Sequence, residues 1–260
     1  MKVLCLGDVC GNAGCAAVQK ALPEIKRKYK IDLTIVNGEN SAEGNGILPK
    51  NASVLFSAGT DVITGGNHSL RRREIFDELE ENPSLLRPAN YPDSVPGKGV
   101  TVIDMGKTSV AVVNISGVVF LDNLNDPFRT FDKIYNSLAE KGIKNIIVDF
   151  HAEATSEKRA FGFYADGRAT AVFGTHTHVL TADNQVLPNG TGYVTDIGMC
   201  GPKNSVLGVK KEIVISRFLD KISDRFIIET EPPMMINGCV FTVDELTGKC
   251  VNIEIINLTV

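Results

Sequence analysis

The stretch Ala169-Thr170-Ala171-Val172-Phe173-Gly174-Thr175-His176-Thr177-His178 runs from an apolar segment straight into two histidines. Residues 169–174 read as a buried strand, so His176 and His178 stand where a sheet opens into a loop. The chain has four histidines, and the other two, His68 and His151, also follow closely behind short apolar runs, at 62–64 and 146–150. Histidines scattered through a core would not favour strand exits in this way. In open α/β sheets ligands gather at the carboxyl ends of strands, so the shared address is a functional signal.

The same grammar recurs upstream. Residues 2–7 form an apolar run ending in Gly7-Asp8, and after Gly11 and Gly14 comes a helical pattern at Val18, Leu22, Ile25 and Tyr29. Pro23 is where that helix is expected to kink or restart. Residues 33–36 predict a second buried strand that exits into Asn37-Gly38-Glu39-Asn40. A third, at 62–64, leads into Gly65-Gly66-Asn67-His68, followed by helical spacing over 71–81 that stops before Pro83. Strand, polar exit and helix, three times over, predict parallel βαβ units with right-handed crossovers. Residues 100–104 and 110–115 instead predict an antiparallel hairpin, and with it a second sheet. A helix over 129–141 ending at Gly142 precedes a strand at 145–150 that exits into His151-Ala152-Glu153. Beyond 192 the pattern is strand-rich, at 192–197, 226–230, 240–243 and 251–258, with a helix near 212–219 and a hairpin turn at 244–248. The expected architecture is one α/β domain over 1–260 with two mixed β-sheets packed face to face, each covered by helices.

Composition narrows the function. Of 260 residues, 43% are hydrophobic and 22% charged, as in ordinary globular proteins. A net charge of −4 leaves no basic footprint for duplex nucleic acid, which favours a small substrate. The N-terminus reaches Asp8 too soon for a signal peptide and no run is long enough for a membrane span, so a cytoplasmic protein without membrane contact is expected. Six cysteines without a CxxC pair predict free thiols. Self-association is left open.

The strand exits together offer Asp8, Glu39, Asn40, Asn67, His68, His151, His176 and His178. This set of hard oxygens and imidazoles suits iron, manganese or zinc. It exceeds what one tetrahedral ion needs, and a carboxylate such as Glu39 can bridge two ions about 3.5–4 Å apart, the arrangement used for phosphoryl displacement. Taken singly, each residue has a plainer role: Asp8 as a cap, Asn40 and Asn67 as turn residues, Glu39 as a solvated charge. Their common position favours the joint reading, a dinuclear hydrolase. Dinucleotide binding at 7–14 is excluded because the glycine spacing is not G-x-G-x-x-G.

These blocks carry a resemblance. Gly7-Asp8, Asn37-Gly38-Glu39-Asn40, Gly65-Gly66-Asn67-His68, Asp149-Phe150-His151-Ala152-Glu153 and Gly174-Thr175-His176-Thr177-His178 resemble the successive blocks of the calcineurin-like metallophosphoesterases. More closely, His151-Ala152-Glu153-Ala154-Thr155-Ser156-Glu157-Lys158 is similar to the matching string of the bacterial YmdB family. The resemblance implies a four-layer αββα sandwich and a phosphodiesterase that hydrolyses 2′,3′- or 3′,5′-cyclic nucleotides by in-line attack of a hydroxide bridging two metal ions. It also implies the ligand sets: Asp8, Glu39, Asn40 and His178 for one ion; Glu39, Asn67, His151 and His176 for the other. His68 would protonate the leaving alkoxide or position the phosphate. The chain departs from the wider superfamily at Cys10, where most members have His, and at Glu39, where most bridge with Asp. Cys10 is expected to be a small residue packed under the site. The rival readings are a phosphomonoesterase or nucleotidase on the same site, and a slow-turnover regulatory protein that senses a cyclic nucleotide.

Overall fold

Strand β1 (Lys2–Leu6) shows how the layers arise. Side chains alternate across a strand, and here Val3 and Cys5 enter one apolar cluster while Leu4 and Leu6 enter another. The computed structural model describes residues 1–222 and 224–260. After β1 come β2 (Asp8–Val9), α1 (Gly11–Tyr29), β3 (Leu33–Asn37), α2 (Pro49–Ser57), β4 (Val62–Thr64) and α3 (Phe76–Glu81). The chain continues through β5 (Val100–Asp104), β6 (Ser109–Ser116), α4 (Pro127–Glu140), β7 (Asn145–His151), α5 (Thr155–Ala165) and β8 (Ala171–Thr175). It finishes with β9 (Gln185–Val186), β10 (Gly192–Val194), β11 (Met199–Pro202), α6 (Lys211–Asp220), β12 (Met234–Asp244) and β13 (Lys249–Thr259).

Two mixed sheets result. In the first, β1, β3 and β4 pair in parallel, β12 joins β1 antiparallel, β13 lies on the other side of β12, and β2 and β11 extend the sheet beyond Gly7. The second has the order β5-β6-β7-β8-β10-β9, with β6, β7, β8 and β10 parallel and antiparallel strands at both edges. Val3, Cys5, Leu33, Ile35, Val110, Val112, Ile147 and Phe173 fill the space between the sheets. Val18, Leu22 and Ile25 of α1 and Leu55 of α2 cover the first sheet, and Phe131 of α4 and Phe161 of α5 cover the second. The four layers run helix, sheet, sheet, helix, as expected.

Helix ends follow local chemistry. Asp126 caps α4 by accepting from the Arg129 N–H at 2.9 Å, and Pro127 opens the helix where no N–H is needed. Helix α1 carries basic residues in its last turn and ends on Lys30 in the left-handed region, φ 56°. Pro23 does not break it; the helix runs on unbroken with the proline on its exposed side.

Several expectations need correction. The helix foreseen over 71–81 is a 3-10 turn at Arg73–Ile75 followed by the short α3. Residues 226–230 form no strand; Ile228 makes an isolated bridge with Val209. The strand expected over 192–197 stops at Val194, where the chain turns into a network around Asp196. Helices α2 and α5 and strand β11 were not foreseen. Among the described residues no helix is long and apolar enough to cross a membrane.

Candidate active site

The carboxyl ends of β1, β3 and β4 in one sheet and of β7 and β8 in the other open onto one cleft. Asp8 follows Gly7, whose position admits no side chain because a Cβ there would lie 2.0 Å from Gly198 O. Glu39 and Asn40 follow β3, Asn67 and His68 follow β4, His151 is the last residue of β7, and His176 and His178 follow β8. All eight come together.

One group gathers around His151. Its Nε2 lies 2.9 Å from Asn67 Oδ1, 3.3 Å from Glu39 Oε1 and 3.0 Å from His176 Nδ1. The other group gathers around His178, whose Nε2 is 3.1 Å from Asn40 Nδ2 and 3.7 Å from Asp8 Oδ1. Glu39 stands between them: Oε1 accepts from Asn40 Nδ2 at 2.9 Å, and Oε2 accepts the His68 N–H at 3.0 Å. His68 Nδ1 is 2.9 Å from Asn40 Oδ1 and 3.4 Å from Glu39 Oε1. Among the described residues, Glu39, His151 and His176 form the cluster whose ligand atoms all lie within 4.8 Å of one another.

The tautomers follow from the surroundings. Thr175 Oγ1 donates to Asp149 Oδ1 at 2.7 Å, so it must accept from His151 Nδ1, 2.9 Å away. Asn37 and Thr64 hold the other oxygen of Asp149. This buried relay turns Nε2 of His151 toward Asn67 Oδ1 and Glu39 Oε1, two acceptors that favour positive charge between them, whether a proton on Nε2 or a cation. Likewise His178 Nδ1 donates to Leu207 O at 3.0 Å, which turns Nε2 toward Asp8 Oδ1 and Asn40. Orienting contacts of this kind to the second ring nitrogen accompany histidines that ligate metals. The buried Asp8 Oδ1 has no hydrogen-bond partner. A Cβ on Gly66 would sit 2.2 Å from Glu39 Oε2 and 2.4 Å from His151 Nε2, so glycine there keeps the cradle open. Converging acceptors, an orphaned carboxylate oxygen and a cleared cradle fit cations.

Charge tells the same story. Burial pushes the Asp8 carboxyl up, with His178 and His151 offsetting part of the effect. Burial would raise Glu39 too, but His151 and His68 outweigh it and hold it well below the usual range. Burial lowers the His151 imidazole, and Glu39 and Asp8 more than reverse this. His176 is pushed down to about 3 by burial and by the neighbouring His151. Burial would lower His178 as well, but Cys10 and Asp8 outweigh it and hold that imidazole well above the usual range, so the cluster attracts positive charge.

His176 and His178 have positive φ, 100° and 64°. For residues with a side chain such conformations cost about 1–3 kcal/mol each and persist only where the surroundings over-determine them. Cys10 is buried, with its Sγ 3.7 Å from both His178 Nδ1 and Met199 Sδ, packed beneath the His178 ring.

Sequence reading had no role for Asp149, Thr175, Asn37, Glu153 or Asp196. Glu153 Oε2 lies 2.9 Å from His176 Nε2. The signal for Asp149 was present, since strand alternation puts it on the same face of β7 as His151.

A family model described as YmdB-like protein matches residues 4–256. The chain belongs to the YmdB-like family. It is 46% identical over 254 residues to the 2′,3′-cyclic-nucleotide 2′-phosphodiesterase of Bacillus subtilis (strain 168), covering 98% of this chain and 96% of that one. A crystal structure described as a novel phosphatase from Mycoplasma pneumoniae superposes with a TM-score of 0.93 at 35% identity, covering 100% of this chain and 93% of that one. The 5′-nucleotidase precursor of Thermus thermophilus shares the fold at a TM-score of 0.58 and 11% identity, over 100% of this chain and 54% of that one. This YmdB-like chain is thus an enzyme of the phosphodiesterase class on a metallophosphoesterase-type fold.

Proposed function

We propose that the enzyme is a dinuclear-metal phosphodiesterase acting on cyclic nucleotides, the 2′,3′-cyclic class first among them. The observation that carries this reading is the position of Glu39, whose carboxylate reaches both the His151 group and the Asn40–His178 group. Asp8, Asn40 and His178 would hold one ion and Asn67, His151 and His176 the other, with Glu39 common to both. The donor set, oxygens and imidazoles without thiolate, suits iron, with manganese or zinc as alternatives. Bound ions would supply Lewis-acid charge neutralisation at the phosphoryl oxygens and lower the pKa of water.

The chain's own residues do the rest. Asn40 Oδ1 and Glu39 hold Nδ1 of His68, leaving its Nε2 free. As the imidazolium the ring carries a proton on Nε2 that can pass to the departing alkoxide, leaving the Nδ1–H tautomer, the general-acid role in which a positioned histidine typically contributes about 10²–10⁴-fold. Fixing of His151 through Asp149 and Thr175, and of His178 through Leu207 O, keeps the site's donors in place without reorganisation at the moment of reaction.

The phosphatase description of the Mycoplasma relative favours a second reading, hydrolysis of monoesters at the same site. Rates on bis-p-nitrophenyl phosphate and p-nitrophenyl phosphate separate the two, and the diester is expected to be hydrolysed faster. Assays on 2′,3′- and 3′,5′-cyclic nucleotides with metal analysis of the same preparation test the main reading. A metal-free preparation that turns over normally, or no turnover of any cyclic nucleotide, would contradict it.

A further inference from the structure

Lys158 and Asp196 are both fully buried and lie outside the ligand set. The Lys158 ammonium donates to Asp196 Oδ2 at 2.6 Å and to Thr175 O at 2.7 Å. Asp196 Oδ2 also accepts the Thr177 N–H at 3.0 Å, and its Oδ1 accepts the Gly198 N–H at 2.9 Å. The Lys158 side chain comes from α5, on the outer side of the second sheet, and passes Gly174, where a Cβ would lie 3.2 Å from Lys158 Cδ and 1.8 Å from Thr195 O. Thr175 O and the Thr177 N–H are the peptide groups on either side of His176. The His176 N–H itself is taken by Asp8 Oδ2 at 3.0 Å.

We propose that the Lys158–Asp196 pair is a positioning device that imposes the left-handed backbone of the 175–178 turn and so aims His176 and His178 at the cations. A turn with two non-glycine residues at positive φ reverts to ordinary backbone unless its peptide groups are held. Here three of the four polar groups in the peptides flanking His176 are held by buried charges: Thr175 O by Lys158, the Thr177 N–H by Asp196 and the His176 N–H by Asp8. An apolar pair of similar volume would pack as well but would hold neither Thr175 O nor the Thr177 N–H. A buried ion pair is weak evidence for stability as such. The function that remains for it is the geometry of the turn.

This inference rests on the two-ion reading. The test uses the full chain, stripped of metal and titrated with Mn²⁺ by calorimetry, with the thermal midpoint of each apo-protein measured in parallel. Lys158→Met leaves Asp196 buried and unpaired, and for that reason the double variant K158M/D196N, which removes both charges, is measured beside it. The double variant is expected to keep an apo midpoint close to the unmodified chain's while its Mn²⁺ affinity falls at least tenfold. Uptake should drop from two ions toward one, because the ion sharing His176 is the first to be lost. Lys158→Arg, which retains the charge and can still donate to both oxygens, should recover part of the affinity. Two ions bound by the double variant at unmodified affinity would overturn the inference. Loss of fold in both the single and the double variant would also overturn it, by making the pair a stability element. Failure of the unmodified chain to bind Mn²⁺ would instead overturn the two-ion reading beneath it.

Discussion

At the scale of single residues, Glu39 and His68 have separable jobs. Glu39 touches both ligand groups, so Glu39→Gln is expected to remove or disorder both ions, read by elemental analysis as a fall from two ions per chain; two retained ions would contradict the bridge. His68 contacts Asn40 and Glu39 through Nδ1 and is partly open to solvent. His68→Ala should therefore retain its metal while turnover falls about 10²–10⁴-fold. Loss of both ions in that variant would sink the general-acid assignment. These residues were legible in sequence because each stands at a strand exit. Their supports were not: Asp149 acts through Thr175, 26 positions away, and Lys158 through Asp196, 38 positions away, separations that no local pattern reveals.

Elements succeed or fail by how much apolar face they carry. Helix α4 reads clearly because Phe131 and Leu138 share a buried face, although it starts at Pro127, two residues before the expected 129. Helix α5 hid because its buried face includes Glu157, Lys158 and Gly162: Glu157 holds the Val118 and Val119 N–H groups, Lys158 reaches Asp196 and Thr175 O, and Gly162 makes room for Tyr193. Its apolar anchor is Phe161, stacked on Phe150 with ring centroids 4.1 Å apart. Phe161→Ala should cost about 3–5 kcal/mol of unfolding free energy in denaturant titration; a change near zero would show that α5 is not held by that stack. Asp183, two residues before β9, supplies a pH test. Burial would raise Asp183, but hydrogen bonds from Thr195 and Thr181 outweigh it and lower its pKa. A depressed carboxylate contributes stability that is present above its unfolded pKa of about 3.9 and lost as pH falls through the lower folded value. Asp183→Asn should thus destabilise the protein at neutral pH, and the gap to the unmodified chain should close below about pH 4. A gap independent of pH would assign the effect to packing. The misread segment 226–230 shows the opposite error: Phe226, Ile227 and Ile228 have a strand's composition but no strand beside them, only the single bridge at Val209.

For the whole molecule, two sheets face each other so that the strands of each deliver ligands to one edge, and neither sheet holds a complete site. The sequence pattern predicted the parallel units and the hairpin, hence two sheets, but the antiparallel β12 that joins the first sheet between β1 and β13 depends on pairing across the full length of the chain. Because the cleft spans both sheets, cations bound there should tie them together and favour the native state by mass action, about 2.7 kcal/mol at a hundredfold excess over Kd. Chelation should therefore lower the thermal midpoint, and an unchanged midpoint would place the ions elsewhere. The most direct test of the central claim is a count of metal ions per chain in freshly purified enzyme, made together with its rate on a 2′,3′-cyclic nucleotide before and after chelation. Two ions per chain and a rate lost on chelation and restored by added metal are predicted; a chelator-resistant rate, or full activity with no ion bound, would contradict the account.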